Sequence, residues 1–216
     1  MGFDEKLPLR GVLKVGVDVS DTIMLIYSKI GEELEVKNIE RVVGEFKEVI
    51  RSIGTKIIEV EVFETNFFDD VMTILKSLKE QKADEVVAVL AGGSRIIIFE
   101  TLFALLMLYR FGKFQQTRIK VLLMHEDGTY SIVLPLEYFY VTIPRNGLAV
   151  MRIIHNHREI KRSRLVEIAS REAGLTISAV YKIIRDLNER GLIVIDGDTV
   201  KLTQLGYLIY LTSSPS

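Results

Sequence analysis

Val86-Val87-Ala88-Val89-Leu90-Ala91-Gly92-Gly93-Ser94-Arg95 is the stretch on which the reading of this chain turns. Val86–Leu90 is a continuous apolar run of strand length, the kind buried on both faces of a parallel sheet. Two glycines break the run. Ser94 then stands where a helix N-cap belongs, ahead of a strongly apolar helix from Ile96 to about Arg110. Strand, glycine turn and helix in that order form half of a βαβ unit.

The pattern repeats toward the N-terminus. Thr22–Tyr27 reads as a buried strand, followed by a helix with Leu34, Ile39, Val42, Val43, Phe46, Ile50 and Ile53 on one face and Gly54 at its end. Lys56–Phe63 alternates as a strand with Ile58, Val60 and Val62 on one side. Asn66 caps a helix striped by Phe67, Val71, Ile74, Leu75 and Leu78, and Asp69 and Asp70 read as solvated carboxylates in its first turn. Toward the C-terminus, Lys120–Met124 and Tyr130–Leu134 pair across a turn at Glu126-Asp127-Gly128. Such repeats predict right-handed crossovers and a Rossmann-like, mostly parallel sheet. Met1-Gly2-Phe3-Asp4-Glu5 reads as a loop into a short helix around Leu9–Val15. In a doubly wound fold that loop follows the central first strand, for which no residues are present. Either the true start lies upstream, or the sheet is completed in some other way.

Composition sets the outer limits. The 216 residues are 48% hydrophobic and 26% charged, as in ordinary globular proteins, with a net charge of −1. Cysteine is absent, which excludes disulfides, thiolate catalysis and cysteine-ligated zinc and fits a reducing cytoplasm. No secretory leader is expected, because Met1–Arg10 carries Asp4 and Glu5 and lacks an apolar core. Ile96–Tyr109, interrupted by Glu100, is shorter than the ~20 residues that span a bilayer, so no membrane partner is expected.

The near-zero charge hides a split. Up to Pro144 the chain holds 17 Lys+Arg against 22 Asp+Glu, and beyond it 11 against 7. Pro144, Asn146 and Gly147 favour a break there, so the expected domains are 1–143 and 144–216. The second segment reads as three helices and a β-ribbon. Gly147–His157 is the first helix, with Leu148, Met151 and Ile154 inward. Ser163 caps the second, over Leu165, Ile168 and Ala169. Thr176–Arg190 is the third, with Val180, Ile183, Ile184 and Leu187 inward. Leu192–Ile195 and Thr199–Leu202 then form a hairpin around Asp196-Gly197-Asp198. That order fits a winged helix-turn-helix. Its third helix would offer double-stranded DNA Thr176, Ser178, Ala179, Tyr181, Lys182 and Arg185, with Lys161, Arg162, Ser163 and Arg164 gripping the flanking backbone. A winged-helix protein-interaction module with solvated charges is the alternative.

In the first segment the candidate ligand site lies where the loop at Met1–Glu5 and the turn at Ala91–Arg95 meet, beyond the carboxyl ends of the strands. Gly92 and Gly93 admit close backbone approach, Ser94 caps the next helix, and Arg95 brings a guanidinium suited to phosphate. The plainer alternative is a tight strand-to-helix turn with Arg95 solvated. Catalytic and metal constellations are poor: there are 3 histidines, and His155-Asn156-His157 lacks partner elements. Neither a catalytic residue, a metal nor a cofactor is expected.

The MGFDE loop leading into a helix, the VLAGGSRI turn and the distal winged helix together resemble archaeal CRISPR-associated transcriptional regulators that couple a Rossmann-like CARF sensor to a C-terminal winged helix. The resemblance implies a homodimer that receives a cyclic oligoadenylate, typically cyclic tetra-adenylate, at its two-fold. It assigns Gly2, Phe3 and Asp4 to one ligand loop, and Gly93 and Arg95 to the other. Ala91 departs from the family, standing where a hydroxyl residue is usual. The function implied is a ligand-responsive DNA-binding regulator. The alternatives are a ring nuclease cleaving the same ligand in the same pocket, and a regulator sensing another nucleotide or an acidic metabolite.

Overall fold

The computed structural model describes residues 6–92, 94–111, 117–125, 127–139 and 142–213. The chain divides into two compact units, 1–140 and 141–216.

In the first unit, α1 (Lys6–Val15) leads to β1 (Thr22–Ser28), α2 (Glu33–Ile53), β2 (Lys56–Val62), α3 (Phe67–Lys79), β3 (Glu85–Leu90), α4 (Arg95–Phe111), β4 (Arg118–Met124) and β5 (Ser131–Pro135). A 3-10 turn over Leu136–Phe139 follows. Local chemistry sets these boundaries. Gly54, at φ 89°, ends α2 and returns its N–H to the Arg51 carbonyl, and the Asn66 side chain accepts from the Phe68 N–H at 3.2 Å to start α3. β1 pairs in parallel with β2, with Thr22 opposite Lys56 and Ser28 opposite Val62. β3 pairs in parallel with β4, and β4 antiparallel with β5.

Helices cover both faces. Val12 of α1 and Phe46 and Ile50 of α2 pack against Ile23 and Leu25 of β1 and Val89 of β3. On the opposite face, Val71 and Ile74 of α3 and Ala104 of α4 pack against Met24, Ile26, Val60 and Val62. Leu105 of α4 continues that layer over Val86, Ala88 and Leu90 of β3 and Ile119 and Val121 of β4.

Two expectations need correction. The ladder is not continuous: β1–β2 and β3–β4–β5 are separate sheets, and among the described residues no strand pairs with the second edge of β1 or of β3. Val86–Val89, read as buried on both faces, are consequently only half-buried. Leu34 is 72% exposed, because it lies in the first turn of α2, ahead of the stretch from Ile39 onward that reaches the sheet.

The second unit runs α5 (Arg145–His157), β6 (Glu159–Lys161), α6 (Arg162–Ala173), α7 (Ile177–Glu189), β7 (Ile193–Asp196), β8 (Thr199–Leu202) and α8 (Gln204–Ser213). β8 lies between β6 and β7, antiparallel to both. One core cluster joins Met151 and Ile154 of α5, Leu165 of α6, Leu187 of α7, and Leu192 and Val200 around the hairpin, all at most 1% exposed. β6 and α8 are additions to the expected plan. Gly206 lets α8 press directly onto the chain at Leu192, where a Cβ would lie 1.9 Å from the carbonyl oxygen.

Candidate functional sites

The first site is the turn between β3 and α4. Gly92 takes φ 71°, a left-handed conformation that favours glycine and turns the chain sharply off the strand. Ser94 starts α4 as expected: its Oγ accepts from the Ile96 N–H at 3.1 Å, and its carbonyl accepts from Ile98 at 3.2 Å. The same hydroxyl donates to the Glu64 carboxylate. Arg95 is exposed at the helix start, and among the described residues no hydrogen bond or ion pair restrains it. It is therefore a free guanidinium beside the positive end of a 17-residue helix. Ala91 is buried (8% exposed) and offers no hydroxyl. Gly2, Phe3, Asp4 and Gly93 lie outside the described residues.

Behind this turn sits a group of carboxylates that the sequence reading did not bring together. Asp70, expected to be solvated, is 3% exposed; its two oxygens accept from the Phe63 and Glu64 N–H groups at 3.0 and 2.7 Å. It thereby holds the β2–α3 connection, in which Glu64 takes a left-handed φ of 53°. A first-turn carboxylate can bond the loop before its helix as well as face solvent, and only the bend of the loop distinguishes the two. Glu100 in α4 is fully buried, and both its oxygens lack a partner among the described residues. Burial first, then the charges of Asp70 and Glu64, push its carboxyl up to about 7. The one charged residue inside an apolar helix was the available signal for it. Among the described residues, no group of three or more His, Asp and Glu side chains is placed to hold a metal ion.

The second site is the outer face of α7. The Thr176 hydroxyl accepts from the Ala179 N–H at 3.3 Å and so serves as the helix cap. Ser178, Tyr181 (49% exposed), Lys182 and Arg185 are exposed along the helix; Ala179 is half-buried. Ile177, absent from the expected set, is 61% exposed at the start of the same helix. The α6 group is less available than expected. Lys161, not Ser163, is the N-cap of α6, because the helix leaves β6 directly and the Arg162 N–H bonds the Asp198 carbonyl at 2.8 Å. Ser163 is exposed one residue inside the helix. The Arg162 guanidinium reaches Asp198 Oδ1 at 3.3 Å and the Gly197 carbonyl at 3.2 Å, and Arg164 pairs with Glu167 at 2.7 Å. Lys161, Lys182 and Arg185 are left as the outward cations of the set, with Glu189 3.9 Å from Arg185. Each histidine has a partner: His155 stacks on Tyr210 and Tyr207, with ring centroids 4.7 and 5.5 Å away, His157 Nδ1 lies 2.9 Å from the Ile153 carbonyl oxygen, and His125 Nδ1 lies 2.8 Å from Asp127 Oδ1.

Parallel strands layered between helices, with a glycine turn at the carboxyl end of β3, define the first unit as a Rossmann-like domain. Residues 1–128 match the family model of the Csa3 CRISPR-associated Rossmann-like domain, and the chain belongs to that family. No curated protein matches the chain. Among solved structures, that of Can2 from Sulfobacillus thermosulfidooxidans in complex with cyclic tetra-adenylate is similar over 88% of this chain, at 16% identity and a TM-score of 0.34. The chain spans 56% of that protein's length.

Proposed function

We propose that this protein is a ligand-responsive, DNA-binding transcriptional regulator of a CRISPR system, acting as a homodimer. Its first unit senses a cyclic oligoadenylate, cyclic tetra-adenylate foremost. The observation that carries the sensing half is Arg95: an unrestrained guanidinium at a helix start, beside Gly92, at the carboxyl end of a parallel strand, in a domain of a CRISPR-associated family. A ring of phosphodiesters supplies the anions such a group binds. Exposed aromatic and apolar side chains support the dimer. Phe67 and Phe68 of α3 and Ile96, Phe99 and Phe103 of α4 are 36 to 69% exposed, and Phe67 packs on Phe103 at 5.6 Å. A second copy would bury this patch.

The second unit reads as a winged helix-turn-helix, with α7 as recognition helix and β7–β8 as wing. Tyr181, Lys182 and Arg185 on one exposed face support contact with a major groove, and the excess of basic residues beyond Pro144 supports attraction to the backbone. Asp196 and Asp198 at the wing tip leave that contact to the helix. Mass spectrometry of small molecules released from the purified protein, followed by calorimetry with cyclic tetra-adenylate, tests the sensing half. Arg95→Ala is expected to weaken binding by roughly 10- to 100-fold, as for loss of one charged hydrogen bond. Equal affinity for parent and variant removes Arg95 from the site, and conversion of the ligand to linear products assigns a ring nuclease instead.

A further inference from the structure

We propose that Glu100, Asp70 and Glu64 form a proton-operated latch between the β2–α3 connection and the start of α4, and that an anion bound at the β3–α4 turn takes up a proton there. Glu100 is 0% exposed, and neither of its oxygens has a donor among the described residues. An ionised carboxylate so placed lacks both water and a partner, an arrangement that folded proteins avoid. A second carboxyl group, Asp70, stands within hydrogen-bonding reach of it. Two carboxylates cannot bond each other, whereas a carboxyl and a carboxylate can, through one proton. Asp70 keeps the charge, because the Phe63 and Glu64 N–H groups donate to its two oxygens at 3.0 and 2.7 Å. Glu100 therefore holds the proton and donates it to Asp70.

The charges that bear on Glu100 are those of Asp70 on α3 and Glu64 in the β2–α3 connection, both negative. The other charged groups on the elements around α4 are turned away or distant. Asp69 is exposed and accepts from Asn66, Glu137 of the 3-10 turn is exposed, and Lys56 is exposed at the opposite, amino end of β2. β1 contributes the buried Ser28, which does not titrate. Within α4, Arg95 is the first residue, more than a turn earlier, and Arg110 lies in the last turn.

Loss of the proton sets two negative charges side by side in a dry layer, and one side must yield. α4 is fixed one and two turns beyond Glu100 by Ala104 and Leu108, at 0 and 1% exposure. The connection is fixed by much less. Phe63 is 60% exposed, and the left-handed Glu64 is held by the bonds to Asp70 and the one from Ser94. Ionisation of Glu100 thus frees the connection. Because Glu64 accepts from the Ser94 hydroxyl that caps α4, the release reaches the turn. Conversely, an anion at that turn adds negative charge beside Glu64, so Glu100 holds its proton more tightly. This last step rests on the proposed reading of the turn as an anion site; the latch itself does not.

Amide hydrogen exchange of the full chain at pH 5.5 and pH 8.5, corrected for intrinsic rates, tests the latch. The Phe63 and Glu64 amides are expected to exchange roughly 10-fold faster at the higher pH, beyond any change at the buried Ile74 of α3. Glu100→Gln keeps a donor toward Asp70 without a titrating proton, and is expected to remove the difference. Protection of Phe63 and Glu64 that ignores pH in the parent overturns the latch, whatever the variant does. A change of the same size at Ile74 makes Glu100 a stabilising group of the whole unit and overturns it too. Calorimetry with cyclic tetra-adenylate at pH 7, in two buffers of different ionisation heat, reads the linkage. Proton uptake is expected for the parent and none for the variant; ligand bound by the parent without uptake overturns the coupling to the turn. If the ligand does not bind while exchange at Phe63 and Glu64 still follows pH, the latch stands and the ligand of the proposed function falls.

Discussion

The strands of the two units have similar chemistry and different fates. Val86–Val89 form an uninterrupted apolar run and remain half-buried; Ile193 and Val200, in strands of 4 residues, are 2% and 0% exposed. Apolar content does not separate them. The second unit closes one core around its hairpin, with α5, α6, α7 and α8 all contributing, whereas the first unit distributes its core over three clusters on the two faces of its strands. Burial depends on neighbours as well as on sequence, and β1 and β3, each paired on one side among the described residues, leave part of their surface exposed.

The contrast is broken most strongly at two glycines. Gly206→Ala drives a Cβ to within 1.9 Å of the Leu192 carbonyl oxygen, and backbone cannot yield as a side chain does. A loss of about 3 kcal/mol or more is expected for the second unit in chemical denaturation followed by circular dichroism. Gly11→Ala drives a Cβ into Val89 Cγ1, but Val89 lines a cavity of about 760 Å³ and has room to move. About 1–2 kcal/mol is expected there. Similar losses at the two positions would show the first unit to be as tightly closed as the second.

Glu100 sharpens the contrast with pH. Its folded-state value of about 7 lies above its ordinary 4.5, so the folded protein holds the proton more tightly than the unfolded chain. The stabilisation is complete below about pH 4.5 and is lost as pH rises through 7, roughly 2–4 kcal/mol in all. Glu100→Gln should abolish that part of the pH slope and leave the first unit more stable than the parent at pH 8. An unchanged slope in thermal melts from pH 5 to 8 would contradict the burial of a titrating group beside Asp70.

Smaller effects separate the surfaces. Phe99, 66% exposed on α4, belongs to the proposed dimer contact, so Phe99→Glu should convert a dimer to a monomer in light scattering with little change in melting temperature. A dimer that persists places the interface elsewhere. Lys182→Ala should weaken DNA binding modestly and nearly uniformly across sequences, lowering the slope of log affinity against log salt by about one.

Much of this architecture was legible in residue patterns. Gly54, Asn66 and Ser94 marked helix ends because each leaves a local chemical signature, a left-handed turn or a side-chain cap. The stripe Val180, Ile184 and Leu187 marked the buried face of α7, because a helical period does not depend on distant partners. What escaped depends on contacts remote in sequence. Asp70 is buried by the path of the loop before it, Arg162 is tied to Asp198 across 36 positions, and α8 is seated by one glycine on Leu192. The turn from β3 to α4 and its Ser94 cap were legible locally; the carboxylates behind them were not, because charge clustering across β2, α3 and α4 has no linear signature.

The central claim is that a ligand at the β3–α4 turn changes how the second unit holds DNA. Titrating labelled promoter DNA with the protein, with and without saturating cyclic tetra-adenylate at fixed salt, measures it directly. A shift in DNA affinity of roughly 5- to 150-fold is predicted, the ordinary range of coupling between two sites. Ligand bound with DNA affinity unmoved would contradict it.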